Sequence, residues 1–161
     1  MQINLLSYFE FLITKMSLMK KLFSLTGVLL MLTCTALKAQ NNEVDKMHQV
    51  IMQLNTADTS AWSGVIGNIR NMQKIWPGKV KIEVVVHGKA LDFLVAEKSH
   101  LKDDINQVAS KGVVFAACEN TMLKHHITKE MLIPIATTVP SGIAEIVLKQ
   151  ENGWSYLKAG L

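Results

Sequence analysis

From His48 to Asn55 the residues alternate, with Val50, Met52 and Leu54 on one face and Gln49, Ile51 and Gln53 on the other, and this period of two predicts a first strand. Thr56-Ala57-Asp58-Thr59-Ser60 then supplies helix-start residues. Trp62, Val65, Ile66, Ile69, Met72, Ile75 and Trp76 follow at spacings of three and four until Pro77-Gly78 stops the helix. Lys81 to His87 is β-branched at its centre, apolar on both faces near Val84–Val86 and ended by Gly88, which predicts a strand inside a sheet. A short element through Leu91 and Leu94 comes next. Leu101, Ile105 and Val108 then mark the inner face of a helix that ends at Lys111-Gly112.

Val113 to Ala117 is a short apolar run predicted as the third strand, and Cys118 opens a helical stretch to about His125. A turn or short helix is expected over Thr128–Leu132. Ile133 to Val139 is extended but bracketed by Pro134 and Pro140, so a fourth strand there is expected to be short or near an edge. Ile143, Ile146, Val147 and Gln150 define a final helix from Ser141 to Gly153, and Trp154–Leu157 a last strand. Strands alternating with helices over connections long enough for parallel crossovers predict a three-layer α/β domain. Ligands in such domains sit beyond the carboxyl ends of the strands. Those ends carry Asn55, His87-Gly88, and Cys118 with Asn120.

Ahead of this pattern, Met19-Lys20-Lys21 precedes an uncharged apolar stretch from Leu22 to Leu37, with Lys38-Ala39-Gln40 after it. A positive end, a hydrophobic core of about 16 residues and a small residue at the cut describe a secretory signal peptide, expected to be cleaved after Ala39. Lipidation at Cys34 and an uncleaved anchor are the alternatives. Residues 1–18 make an oddly long region before a signal; translation starting at Met16 or Met19, or a hairpin of two short hydrophobic segments, accounts for them. The chain is thus expected to be periplasmic or otherwise exported, with about 122 residues left for a single domain, 40–161.

The leader changes the charge picture. Lys15, Lys20, Lys21 and Lys38 against Glu10 contribute +3 of the formal +4, which leaves the remainder near +1 with 13 basic and 12 acidic residues interspersed. No phosphate-tracking face is visible, and Arg70 is the only arginine, so nucleic acid is not an expected partner. Dinucleotide, nucleotide-triphosphate and nucleophile-elbow signatures are absent. His125-His126 invites a metal reading with Cys118, but adjacent histidines diverge on a helix and no compact third ligand is present. No cofactor is expected.

Without the leader Cys118 is the only cysteine, so in an oxidising compartment it is buried and inert, paired with another chain, or reactive. Its strand-to-helix position would favour a thiolate, because unpaired N–H groups at a helix start stabilise negative charge. Its sulfur is expected to be partly accessible, with His87 on the same rim. His87 is read as a donor, an acid/base, or a polar end-cap of its strand. Gly88 permits a close backbone turn. Asn120 and Thr121 position the helix amides, bind a polar ligand, or simply cap the helix, and Glu119, the acid next to the thiol, is read as a ligand-binding candidate or a helix-start acid.

Glu83-Val-Val-Val-His87-Gly88, Gly112-Val-Val-Phe-Ala-Ala-Cys118-Glu-Asn120-Thr121-Met122, Val139-Pro140-Ser141-Gly142, and Gln150 followed by Gly153-Trp154-Ser155-Tyr156 together resemble the DsrE/DsrF-like family of small sulfur-metabolism proteins, particularly its exported single-domain branch. The resemblance implies a flavodoxin-like fold with a largely parallel five-stranded sheet, assembled into dimers, trimers or hexamers. It also implies that a cysteine at the position of Cys118 accepts sulfane sulfur as a persulfide and passes it on. The partners expected on this basis are a small sulfur compound, a sulfur donor or acceptor protein, and further copies of the chain as a homodimer or homotrimer. Trp62, Trp76 and Trp154 give a small domain much large apolar surface, which points the same way. A non-enzymatic ligand-binding or structural oligomeric module, with Cys118 lining the crevice, is the competing expectation.

Overall fold

The first N–H groups of a helix need acceptors from outside it, and Asp58 supplies one: its carboxylate accepts from the Ser60 N–H at 2.9 Å, and helix α1 follows as Thr59–Ile75. The computed structural model describes residues 10, 13–16, 19 and 46–160. The hydrophobic leader at 22–37, Cys34, the cleavage point at Ala39 and the arm at 41–45 lie outside these residues. Residues 10, 13–16 and 19 are helical and belong to an N-terminal unit, while the unit beginning at Met47 carries the sheet.

Five strands form that sheet: β1 His48–Leu54, β2 Val80–Val86, β3 Val114–Cys118, β4 Thr137–Val139 and β5 Ser155–Ala159. Their order is β4-β3-β2-β1-β5, and all four pairings are parallel. The remaining helices are α2 Lys102–Ala109, α3 Glu119–Lys124 and α4 Gly142–Glu151, with short 3-10 turns at Gly88–Phe93 and Lys129–Met131. This is the three-layer arrangement expected from the alternation, with the flavodoxin-like parallel sheet that the family resemblance implies. The bracketed fourth strand is three residues long and lies at the sheet edge, where the missing N–H groups of Pro134 and Pro140 cost no interior ladder bonds.

The two sheet faces are covered unequally. On one, Val50, Met52, Leu54, Val84, Val86, Phe115 and Ala117 pack with Trp62, Val65, Ile66 and Ile69 of α1, Ile105 and Val108 of α2, Phe93, and Met122 of α3. On the other, Ile51, Val85 and Ala116 meet Ile146 of α4, with Val139 and Trp154 alongside. That second cluster is small, and polar contacts reinforce it. Lys149 of α4 reaches the carboxylate of Glu83 on β2 at 2.6 Å, approaches Glu145 at 3.4 Å and lies 4.5 Å from the centre of the Trp154 ring. Glu83 is only 5% exposed, so this ion pair satisfies a carboxylate that water barely reaches.

The tryptophans are largely used within the fold. Trp62 is buried and donates its indole N–H to the Thr56 carbonyl at 2.9 Å, Trp76 stacks on His48 at 4.0 Å, and Trp154 lies under Lys149. Exposed apolar side chains include Ile143, Val147 and Leu148 of α4, Leu123 of α3, Ile75 at the end of α1 and Leu157 on β5.

Candidate functional site

Cys118 ends β3 and is the residue from which α3 departs. Helices α1, α2 and α3 cover one face of the sheet, whereas α4, which follows β4, crosses the other. The connections therefore leave neighbouring strands β3 and β4 on opposite sides, and Cys118, paired with Val139, stands where they part. Parallel sheets open a ligand crevice at such a point, beyond the carboxyl ends of the strands. The thiol is 6% exposed, more deeply covered than the sequence led us to expect, because the start of α4 lies directly against it.

Gly142 makes that approach possible. A Cβ placed there would stand 2.9 Å from Val85 Cγ1, 3.2 Å from Cys118 Cβ and 3.4 Å from His87 Cβ. Only glycine lets the first turn of α4 sit this close to the sheet. Ser141 caps the helix by accepting the Ala144 N–H, which leaves the Gly142 N–H for the sulfur.

Burial pushes the Cys118 thiol up, but hydrogen bonds outweigh it. The backbone N–H of Gly142, the hydroxyl of Thr121, and the backbone N–H groups of Thr121 and Asn120 hold the thiol below its ordinary range. The Thr121 hydroxyl is oriented for this task, because its oxygen accepts the Gly88 N–H at 3.1 Å and its own proton is left for the sulfur. Gly88 takes φ +57°, which turns its N–H toward Thr121, and the place of its absent Cβ lies 3.8 Å from the Asn55 carbonyl oxygen. Asn55 thus contributes main chain beside the Gly88 turn. Two helix starts, α3 and α4, converge on one sulfur.

His87 shares the rim with Cys118. It extends β2 by one residue as Cys118 follows Ala117 on β3, and Val86 pairs with Ala117. Its ring, however, is held toward the other side of β2: His87 Nε2 lies 2.8 Å from Gln53 Nε2 on β1, and Gln53 Oε1 accepts the hydroxyl of Tyr156 on β5. Burial pushes the His87 imidazole below its ordinary value, and His87 is not among the groups that lower the thiol. Gln53 and Tyr156 were not picked out as site residues from sequence. The alternation of β1 places Gln53 on the face of Gln49 and Ile51, and Tyr156 falls in the Gly153–Tyr156 stretch, but only the order β2-β1-β5 joins them to His87.

Glu119 turns away from the sulfur and accepts the Thr138 hydroxyl at 2.7 Å, tying α3 to the edge strand. Asn120 is exposed and contributes its backbone N–H. His125 lines a small pocket of about 160 Å³ with Gly88, Asp92 and Lys98. His126 takes φ 55° just past α3. No cluster of three metal-ligating side chains occurs among the described residues. A larger groove of about 410 Å³, lined by Arg70, Lys74, Gly78 and Lys111, opens at the amino ends of the strands, remote from Cys118.

Solved structures repeat this architecture. A protein of unknown function, MTH1491 from Methanobacterium thermoautotrophicum, superposes with a TM-score of 0.66 at 29% identity over 69% of this chain and 98% of its own. A conserved protein of unknown function, BT1422 from Bacteroides thetaiotaomicron, shares the fold with a TM-score of 0.57 at 15% identity, over 68% of this chain and 93% of its own. No curated protein matches the sequence. The profile of the DsrE/DsrF-like family matches residues 30–159, which include every strand and helix that frames Cys118, and the chain belongs to that family.

Proposed function

We propose that this protein handles sulfane sulfur, with Cys118 as the carrier. The observation that supports this reading is the convergence of the Gly142, Thr121 and Asn120 N–H groups and the Thr121 hydroxyl on the one thiol of the domain. A thiolate is the attacking species in sulfur exchange, and amides stabilise negative sulfur without taking part in the bond changes. The Cys118 thiolate attacks the outer sulfur of a donor persulfide, and the donor's S–S bond breaks. The donor thiolate leaves with the electron pair, and a persulfide remains on Cys118. No oxidant is consumed, and the reverse exchange passes the sulfur to an acceptor thiolate.

Incubation with a persulfide donor and intact mass measurement tests this. The expected result is a gain of about 32 Da per sulfur on wild type and none on Cys118→Ser. An unmodified wild type across donors and pH would end the carrier reading.

A second reading is favoured by the 6% exposure of Cys118: a binding module whose crevice holds a small sulfur compound without transfer. It predicts saturable thermal stabilisation by such a ligand that survives Cys118→Ser. We also propose export, on the strength of the leader pattern at 19–40, and assembly as a homodimer or homotrimer through the apolar face of α4.

A further inference from the structure

The hydrogen-bonded row running from β2 to the β5 edge has a chemical direction. A phenol donates far better than it accepts, because its oxygen lone pair is delocalised into the ring, so the Tyr156 hydroxyl facing Gln53 claims the amide oxygen. That leaves the Gln53 NH₂ group to face His87 Nε2 at 2.8 Å. An amide NH₂ only donates, so Nε2 must be the lone-pair nitrogen of a neutral imidazole, with the ring proton on Nδ1.

We propose that Gln53 and Tyr156 are positioning residues that fix His87 as its neutral Nδ1–H tautomer, so that His87 serves this site as a hydrogen-bond donor and not as the base that deprotonates Cys118. The division of labour follows from the two neighbourhoods. Against its burial, the Cys118 thiol is held below its ordinary range by main-chain amides and the Thr121 hydroxyl, with no contribution from His87. The lone pair through which His87 would act as a base is occupied by Gln53. The Gln53 side chain is partly buried, and Tyr156 is 39% exposed on the edge strand, so the pin that sets the tautomer is anchored at the protein surface. On the sulfur-handling reading, on which this consequence rests, Nδ1–H is the one donor left to the His87 ring while Gln53 holds its lone pair, so His87 takes no proton from the thiol.

Long-range ¹⁵N–¹H correlation spectra of the domain, recorded at a pH where His87 is neutral, test this directly. The expected wild-type result is a protonated Nδ1 and an unprotonated Nε2. Tyr156→Phe removes the donor that pins Oε1 and is expected to give a tautomer mixture. Gln53→Glu presents an acceptor and is expected to move the proton to Nε2. A wild type protonated at Nε2, or a tautomer ratio unmoved in both variants, would overturn the proposal. The wild-type spectrum requires no substitution, so a variant that folds poorly leaves the test intact. Persulfide loading is scored separately: an Nδ1–H wild type that never gains sulfur retires the carrier reading and keeps the positioning pair, and a loading protein protonated at Nε2 does the reverse.

Discussion

Gly142 lies against Cys118 so closely that a single added methyl group would stand 3.2 Å from the cysteine Cβ and 2.9 Å from Val85. Gly142→Ala is therefore expected to push the start of α4 off the sheet, at a cost of about 1–3 kcal/mol for overpacking. Moving the Gly142 N–H away also raises the thiol pKa. The check is the pH dependence of alkylation at Cys118, whose midpoint should shift upward in the variant. An unchanged midpoint would remove Gly142 from the set of groups that acidify the sulfur.

Thr121 joins the same sulfur to the Gly88 turn. Thr121→Val keeps the shape and removes the hydroxyl, so the thiol pKa should rise while the Gly88 N–H loses its acceptor. A partly buried donor left unpaired costs about 1–3 kcal/mol. Denaturant unfolding and alkylation kinetics on the one variant should report both effects. Loss of stability without a change in thiol acidity would confine Thr121 to holding the turn.

His87 makes acid destabilising. Its folded pKa lies below the ordinary value of 6.5, so the unfolded chain binds the proton more readily. Its contribution to stability is complete above pH 6.5 and is lost as the pH falls from there through the depressed folded value. His87→Gln should flatten the stability profile in that window. A profile with the same slope in the variant would assign the acid sensitivity elsewhere.

The pair joining Lys149 to Glu83 has the opposite pH signature. Although burial lowers the lysine, its contacts with Glu83 and Glu145 outweigh that effect and the net shift is upward, so its stabilisation is present below 10.5 and is lost as the pH rises through the raised value. Lys149→Met leaves Glu83 buried without its cation and is expected to cost about 3–5 kcal/mol in thermal or denaturant unfolding. The double variant with Glu83→Gln should recover much of that loss.

Assembly through α4 is tested by Ile143→Lys combined with Val147→Glu, which places charges on residues 54% and 46% exposed. Light scattering should give a dimer or trimer for wild type and a smaller species for the variant. Added reductant separates packing from a Cys118 disulfide. A monomeric wild type at micromolar concentration would exclude the assembly.

The elements were legible in the sequence where their signals are local. Pro77-Gly78 ends α1, alternation marks β1, and prolines on both sides of β4 put it at an edge. Cys118 at a strand-to-helix junction is equally local, because β3 and α3 are consecutive. Half of its environment is not. Gly142 arrives from 24 residues downstream, and its closeness to Val85 depends on α4 crossing to the opposite sheet face. The row from His87 through Gln53 to Tyr156 needs the strand order β2-β1-β5, which periodicity does not encode. Sequence alone also overestimated the accessibility of the sulfur, since nothing near Cys118 in the chain announces the helix that covers it.

One helix both shelters the second face of the sheet and supplies an amide to the sulfur, and this ties reach to reactivity. When α4 is seated, Cys118 has its full complement of donors and almost no contact with solvent. A displacement of α4 large enough to admit a bulky reagent would carry the Gly142 N–H away with the helix and leave the thiol a weaker acid. Any reagent too large to pass the seated helix would therefore meet the less acidic sulfur, so that access and acidity are set by one contact.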